Sequence, residues 1–159
     1  MLKYLSALLL ILGSVTAQEY QLAISHELVD EETDVINEGL RKYNTPYLGK
    51  DATHFAIYIK DENGKVVGGI LTWSRPKLKM LYIGTLWLPK ELRGKGYGTQ
   101  LMQAAEEEGR RQGCKVVQVD TMDFQAAPFY EKMGYTQIGN VENLFGDHTI
   151  YFFRKDLTR

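Results

Sequence analysis

Six consecutive residues near the middle of the chain, Arg93-Gly94-Lys95-Gly96-Tyr97-Gly98, carry the clearest chemical signal in the sequence. They follow a hydrophobic run from Met80 to Leu88 that stops at Pro89, and they precede a stretch with helical periodicity from Thr99 to Arg111. Glycines permit positive φ and a close backbone approach to a ligand, and the first turn of the following helix offers unpaired N–H groups at its positive dipole end. Arg93 and Lys95 add positive charge, and no acid follows until Glu106-Glu107-Glu108. The pattern predicts a cradle for a phosphate. A P-loop is excluded, because nothing here has its spacing of a first Gly to a Gly-Lys-Ser/Thr. A dinucleotide fingerprint competes, since Asp120 ends the strand Lys115 to Asp120 about 20 residues past the glycines, where a ribose-binding acid belongs. Against it, the third glycine position is occupied by Thr99 or Leu101, and no second βαβ half follows. A structural glycine turn without a ligand is the remaining alternative.

The order Arg93-x-x-Gly96-x-Gly98 resembles the diphosphate-binding signature of the GNAT superfamily of acetyl-CoA-dependent N-acetyltransferases. The later segment Phe124-Gln125-Ala126-Ala127-Pro128-Phe129-Tyr130-Glu131-Lys132-Met133-Gly134-Tyr135 is similar to that family's late helix, and the resemblance extends over residues 20–157. It includes Asn37 to Asn44, Gly113-Cys114 and Asp120-Thr121. The resemblance implies acetyl-CoA as cosubstrate, no metal, and direct transfer to a primary amine, on a small molecule or a protein. Backbone N–H groups from Arg93 to Gly98, with Thr99, would hold the diphosphate; main chain at Trp87 and Leu88 would pair with the pantetheine arm; Gln125 joins this cofactor-binding set. The N–H of Leu88 would face the oxyanion of the tetrahedral intermediate.

Tyr130 occupies the position where many relatives carry the acid that protonates the departing thiolate. A phenol at a helix start is expected to have its pKa drawn toward that of the thiol by the dipole. Beside Phe129, the same residue could equally be core packing. Many relatives place a Glu four residues before the position of Leu88, and this chain has Gly84 there, on a strand where residues 84, 86 and 88 would share a face. Asp120 is the substitute general base, directly or through water. Its alternative role is a turn-forming Asp ahead of Thr121, and Glu91, in the exposed approach to the glycine turn, is a weaker candidate.

The rest of the sequence narrows the class. With 159 residues, 44% hydrophobic and 25% charged, one core can form. Nineteen Lys and Arg against 20 Asp and Glu leave no basic footprint for nucleic acid. The run Glu106 to Glu108 with Arg110-Arg111 reads as a solvated helix face. His26, His54 and His148 form no metal-ligand spacing, although His148 could edge the acceptor pocket. Tyr43, Tyr47, Trp73 and Tyr82 are either core or part of the acceptor side. The lone Cys114 reads as a buried structural thiol. Residues 1–17, with Lys3, an apolar run and Val15-Thr16-Ala17, have the pattern of a secretory signal peptide, leaving residues 18–159 as the acetyltransferase-like domain. The expected location is then periplasmic or secreted, or cytoplasmic if the segment does not function; membrane attachment would follow only from an uncleaved anchor, and a homodimer stays compatible with the chain. An exported, non-catalytic domain that binds CoA or another phosphorylated ligand is the alternative function.

The elements that must position these groups follow from pattern. Strands are expected at residues 20–25, 55–60, 65–72, 79–88, 116–120, 136–138 and 149–154, with helices at residues 30–43 and 99–111 and a short one from Pro128 to Gly134. Asn63-Gly64 predicts a hairpin between the second and third strands. The fold class expected is α/β, a mixed and largely antiparallel sheet with flanking helices, as in the GNAT-like acyltransferases.

Overall fold

A computed structural model describes residues 20–158, so the leader expected at residues 1–17 lies outside the described residues. Two compact units divide the chain, one running to Asn37 and the other starting at Glu38.

In the first unit, residues 20–29 form no strand. Their apolar alternation at Tyr20, Leu22 and Ile24 is real, but the side chains are exposed and no neighbouring strand takes the backbone, and an unpaired extended segment is not a sheet element. Helix α1 (Asp30–Leu48) starts in this unit with Asp30, Glu31 and Glu32 in its first turn, where acids suit the dipole. It runs five residues past the expected end at Tyr43, to Leu48, and buries none of its side chains. The stripe of Val35, Ile36, Leu40 and Tyr43 is therefore exposed rather than core, as is Tyr47.

The second unit carries a six-stranded sheet in the order β1-β2-β3-β4-β6-β5. Strands β1 (Thr53–Lys60) and β2 (Val66–Arg75) form the expected hairpin. Its turn is held by the Asp61 carboxylate, which accepts the N–H groups of Asn63 and Lys65 at 2.9 Å each, and by Gly64 at φ 80°. Strand β3 (Met80–Trp87) pairs antiparallel with β2, helix α2 (Tyr97–Arg111) crosses over, and β4 (Val116–Met122) returns parallel to β3. Short helix α3 (Ala127–Lys132) leads to β5 (Thr136–Phe145) and β6 (His148–Asp156), both longer than their sequence pattern suggested; β6 inserts between β4 and β5.

The core is the sheet face under α2, where Ile70, Leu81, Ile83, Val117 and Phe153 meet Met102 and Ala105, all of them buried. Gly109 allows α2 to lie this close, since a Cβ there would fall 2.8 Å from Leu81 Cδ2. Glu106 corrects the reading of a solvated acidic face. It is 3% exposed, because α2 turns it inward onto Lys155 (2.9 and 2.8 Å) and the Tyr135 hydroxyl (3.0 Å).

Two irregularities in β3 make the site. Opposite β2, Leu71 pairs with Thr85 and Thr72 with Ile83, so Gly84 is the extra residue of a bulge. The simple alternation over residues 84, 86 and 88 therefore does not hold. Leu81 and Ile83 enter the core before the bulge and Leu86 and Leu88 pack against that same core after it, which leaves Gly84 on the opposite face with Tyr82. The second irregularity lies on the other edge. The parallel ladder between β3 and β4 runs only from Met80 opposite Val116 to Ile83 opposite Val119, and beyond it the two strands part.

Candidate active site

Where β3 and β4 part, a cleft of about 1100 Å³ opens. Its walls are residues 84–87 of β3 with Leu88 after it, residues 120–122 of β4, the glycine turn with the start of α2, and Tyr130 on α3. Of the residues expected to hold a cofactor, Trp87, Leu88, Arg93, Gly94, Gly96, Gly98, Thr99 and Gln125 line this one cleft, as do both expected catalytic residues, Asp120 and Tyr130. Lys95 and Tyr97 belong to the same turn but do not line it, and neither does Glu91.

The turn is built mostly of backbone. Gly94 and Gly96 take φ 72° and 86°, a region costly for other residues, and α2 begins at Tyr97, two residues earlier than its periodicity indicated. Gly96 caps the helix without any side-chain hydrogen bond, and its first turn holds no acid. A Cβ at Gly94 would meet nothing within 4 Å, and one at Gly96 only Gln100 Nε2 at 3.9 Å, so the space over the turn is open. Gly98 differs from the expectation of positive φ. It sits inside α2, and a Cβ on it would lie 3.4 Å from the Phe129 ring, so its requirement is close packing between α2 and α3. Arg93 Nε donates to the Leu88 carbonyl at 2.9 Å and braces the end of β3 against the turn.

The opposite wall is built of side chains. Asp120 lies within β4, which continues to Met122, so it is not a turn residue; that role belongs to Asp123, whose carboxylate accepts the Thr149 N–H at 3.2 Å and pairs with His148 Nδ1 at 3.0 Å. The Tyr82 hydroxyl donates to Asp120 Oδ1, and its ring stacks on Trp73 with centroids 4.9 Å apart. Burial first, and then the Asp120 charge, push the Tyr82 phenol up to about 12. This partner of Asp120 was missed among the aromatic residues. Parity on two parallel strands could have suggested it, but only with the strand register known.

Tyr130 is packed among aromatic rings and also borders the cleft. Its ring is 5% exposed and is surrounded by Phe129, Tyr135 and Phe153 at 5.2 to 6.0 Å between centroids, yet it borders the cleft. Its phenol moves opposite to the expected drift toward the thiol, being pushed up to about 12 by burial and then by the charge of Asp120. Gln125 shapes the exit from β4, its side-chain oxygen accepting the Met122 N–H at 2.9 Å.

The cleft is polar in charge as well as in construction. Among the described residues lining it, Arg93 is the sole Lys or Arg and Asp120 the sole carboxylate, one at the glycine turn and the other across on β4. One end suits an anion and the other an ammonium. Among the described residues no group of three His, Cys, Asp or Glu is placed to hold a metal ion. Cys114 is buried, which raises its thiol pKa.

Known proteins resemble this chain in sequence and fold. An acetyltransferase of Agrobacterium fabrum is 31% identical over 131 residues, covering 81% of this chain and 94% of that protein. The blasticidin-S acetyltransferase of Streptomyces morookaense is 29% identical over 133 residues, covering 82% and 95%. Among solved structures, an acetyltransferase of Agrobacterium tumefaciens superposes with a TM-score of 0.78 at 30% identity, covering 86% of this chain and 99% of that one. A streptothricin acetyltransferase of Bacillus anthracis, solved with acetyl coenzyme A, shares the fold at a TM-score of 0.58 and 18% identity, covering 70% and 66%. Residues 21–135 match the acetyltransferase (GNAT) family, and the chain belongs to that family.

Proposed function

We propose that the protein moves the acetyl group of acetyl-CoA directly to a primary amine of a small molecule, both substrates being bound in the cleft at once. The observation that carries this reading is that the glycine turn, Arg93, Asp120 and Tyr130 all line a single cleft. The relatives named for blasticidin S and streptothricin, and the solved complex with acetyl coenzyme A, support the choice of substrates.

In this mechanism the N–H groups at the start of α2, together with Gly94 and Gly96, hold the diphosphate. Asp120 takes one proton from the incoming ammonium, and the free amine attacks the thioester carbonyl, forming the C–N bond. The Leu88 N–H steadies the resulting oxyanion. As the C–S bond breaks, Tyr130 gives its proton to sulfur and receives the second proton of the nitrogen, so the net proton released is the one on Asp120. Asp120 and Tyr130 are thus coupled: burial still raises the Tyr130 phenol, but once Asp120 is protonated the smaller contribution, from its charge, is gone at the stage when that phenol must act as an acid.

One observation favours a non-catalytic CoA-binding domain instead, namely that Gly84 projects no carboxylate. Two measurements separate the readings. Acetyl-CoA or CoA at 100 times Kd stabilises by about 2.7 kcal/mol, which raises Tm by roughly 5–10 °C, while NAD leaves it unchanged. Release of free CoA thiol in the presence of primary amines then establishes catalysis; stabilisation without any thiol release over a broad amine panel would make the protein a binder. The leader at residues 1–17 is kept as a proposal, tested by mass spectrometry of native protein: an N-terminus at Gln18 supports export, and an intact Met1 overturns it.

A further inference from the structure

We propose that Tyr82 is the positioning residue of the Asp120 carboxylate and that Gly84 is the gap through which a cationic amine reaches it, which makes Gly84 a determinant of acceptor specificity. The inference rests on Asp120 acting as the base.

The protein itself does not require a glycine at 84. The residue is not among those with positive φ, and an added Cβ would meet only the Leu71 carbonyl at 3.5 Å, an ordinary contact. Yet the bulge turns this bare stretch of β3 to the face shared with Tyr82, and Gly84 lines the cleft alongside Asp120. What the missing side chain leaves is room next to a carboxylate. That carboxylate is half satisfied, because Tyr82 occupies Oδ1 and no described hydrogen bond or ion pair engages Oδ2. Stacking on Trp73 fixes the Tyr82 ring, so its hydroxyl holds Asp120 with Oδ2 left over for a donor. An ammonium is the donor this arrangement lacks, and Trp87, Met122, Phe124 and Phe145 offer apolar walls to the body that carries it.

The acceptor class is therefore a primary amine on a largely apolar body with no anion beside the nitrogen. Few other ionisable groups face Asp120. Tyr82 approaches from β3, Tyr130 from α3, the opposing residue on β6 is Phe152, and Arg93 is the sole cation among the described lining residues.

Three variants, with 2-phenylethylamine as the probe acceptor, test the proposal. Tyr82→Phe keeps the stacked ring and removes the donor to the charged carboxylate. The kcat for 2-phenylethylamine should then fall about tenfold, with the KM for acetyl-CoA unmoved. A purely structural role for Tyr82 would move both together, and an unchanged kcat overturns the positioning role. Gly84→Ala should raise the KM for 2-phenylethylamine about tenfold while Tm stays level or rises; an unchanged amine KM, or no turnover of this amine by the wild type, overturns the acceptor gap. Full turnover by Asp120→Asn would instead sink the base assignment on which the inference rests, even if Tyr82→Phe lowers kcat as expected.

Discussion

Glu106 on α2 is buried and Asp120 on β4 half-buried, and the surroundings of the two carboxylates differ in kind. Glu106 is saturated, with Lys155 on both oxygens, the Tyr135 hydroxyl on one, and Arg110 at 3.7 Å. Asp120 has one donor, Tyr82, and no cation among the described ion pairs. A buried charge left short of partners is costly, and a fold keeps such a charge where another molecule supplies what is missing. Glu106 ties α2 to β6 and is finished; Asp120 faces the cleft and is not. Position along an element tells the two apart poorly, whereas a count of partners does so at once.

Substitutions should pull these two regions apart. The largest effect is expected at the unsaturated one, through the phenol that Asp120 influences: Tyr130→Phe keeps the ring packed and should lower kcat by roughly 10² to 10⁴ while acetyl-CoA affinity is retained, as separate binding and turnover measurements will check. Turnover at the wild-type rate would return Tyr130 to packing alone. At the saturated carboxylate the pattern reverses. Glu106→Gln leaves Lys155 with a neutral partner, and a loss of about 3 kcal/mol is expected, seen as a fall in Tm of roughly 6–12 °C, with the turnover of the folded fraction unchanged. An equal loss of turnover would mean that Glu106 serves the cleft as well.

The smallest effect is spectroscopic. In an alkaline titration of tyrosinate absorbance, Tyr82 and Tyr130 should ionise near 12, above the ordinary phenol value of about 10. Asp120→Asn should move both down, though not to 10, since burial is the larger cause for each. The sign for stability follows: folding raises both phenols above their unfolded value, so the stability they contribute is complete below pH 10 and is lost between about 10 and 12. Two phenols that Asp120→Asn leaves unmoved would remove the electrostatic link between Asp120 and its neighbours.

What could be read without coordinates was mostly what depends on neighbours along the chain. Asn63-Gly64 placed the β1–β2 hairpin, and the glycine spacing from Gly94 to Gly98 placed the turn, because positive φ is a local demand. The alternation at residues 20–25 failed for the opposite reason, since a strand exists only with a partner that no local pattern names. Contacts 38 and 29 residues apart, Tyr82 with Asp120 and Tyr135 with Glu106, were out of reach because they need the register of β3 on β4 and the rotation of α2. The bulge at Gly84 shifts the facing of everything after it by one residue, and no periodicity in the sequence marks it.

Helix α2 starts at a glycine with no side-chain cap and no acid in its first turn, so its opening N–H groups wait for a partner that no described side chain provides. A bound diphosphate would supply it, and the helix would then be complete only in the occupied protein. Such a helix frays more readily when ligand is scarce and resists unfolding when ligand is abundant. Wherever the protein resides, survival against proteases would then track the supply of cofactor, and the amount of this protein present would record how well supplied its surroundings had been.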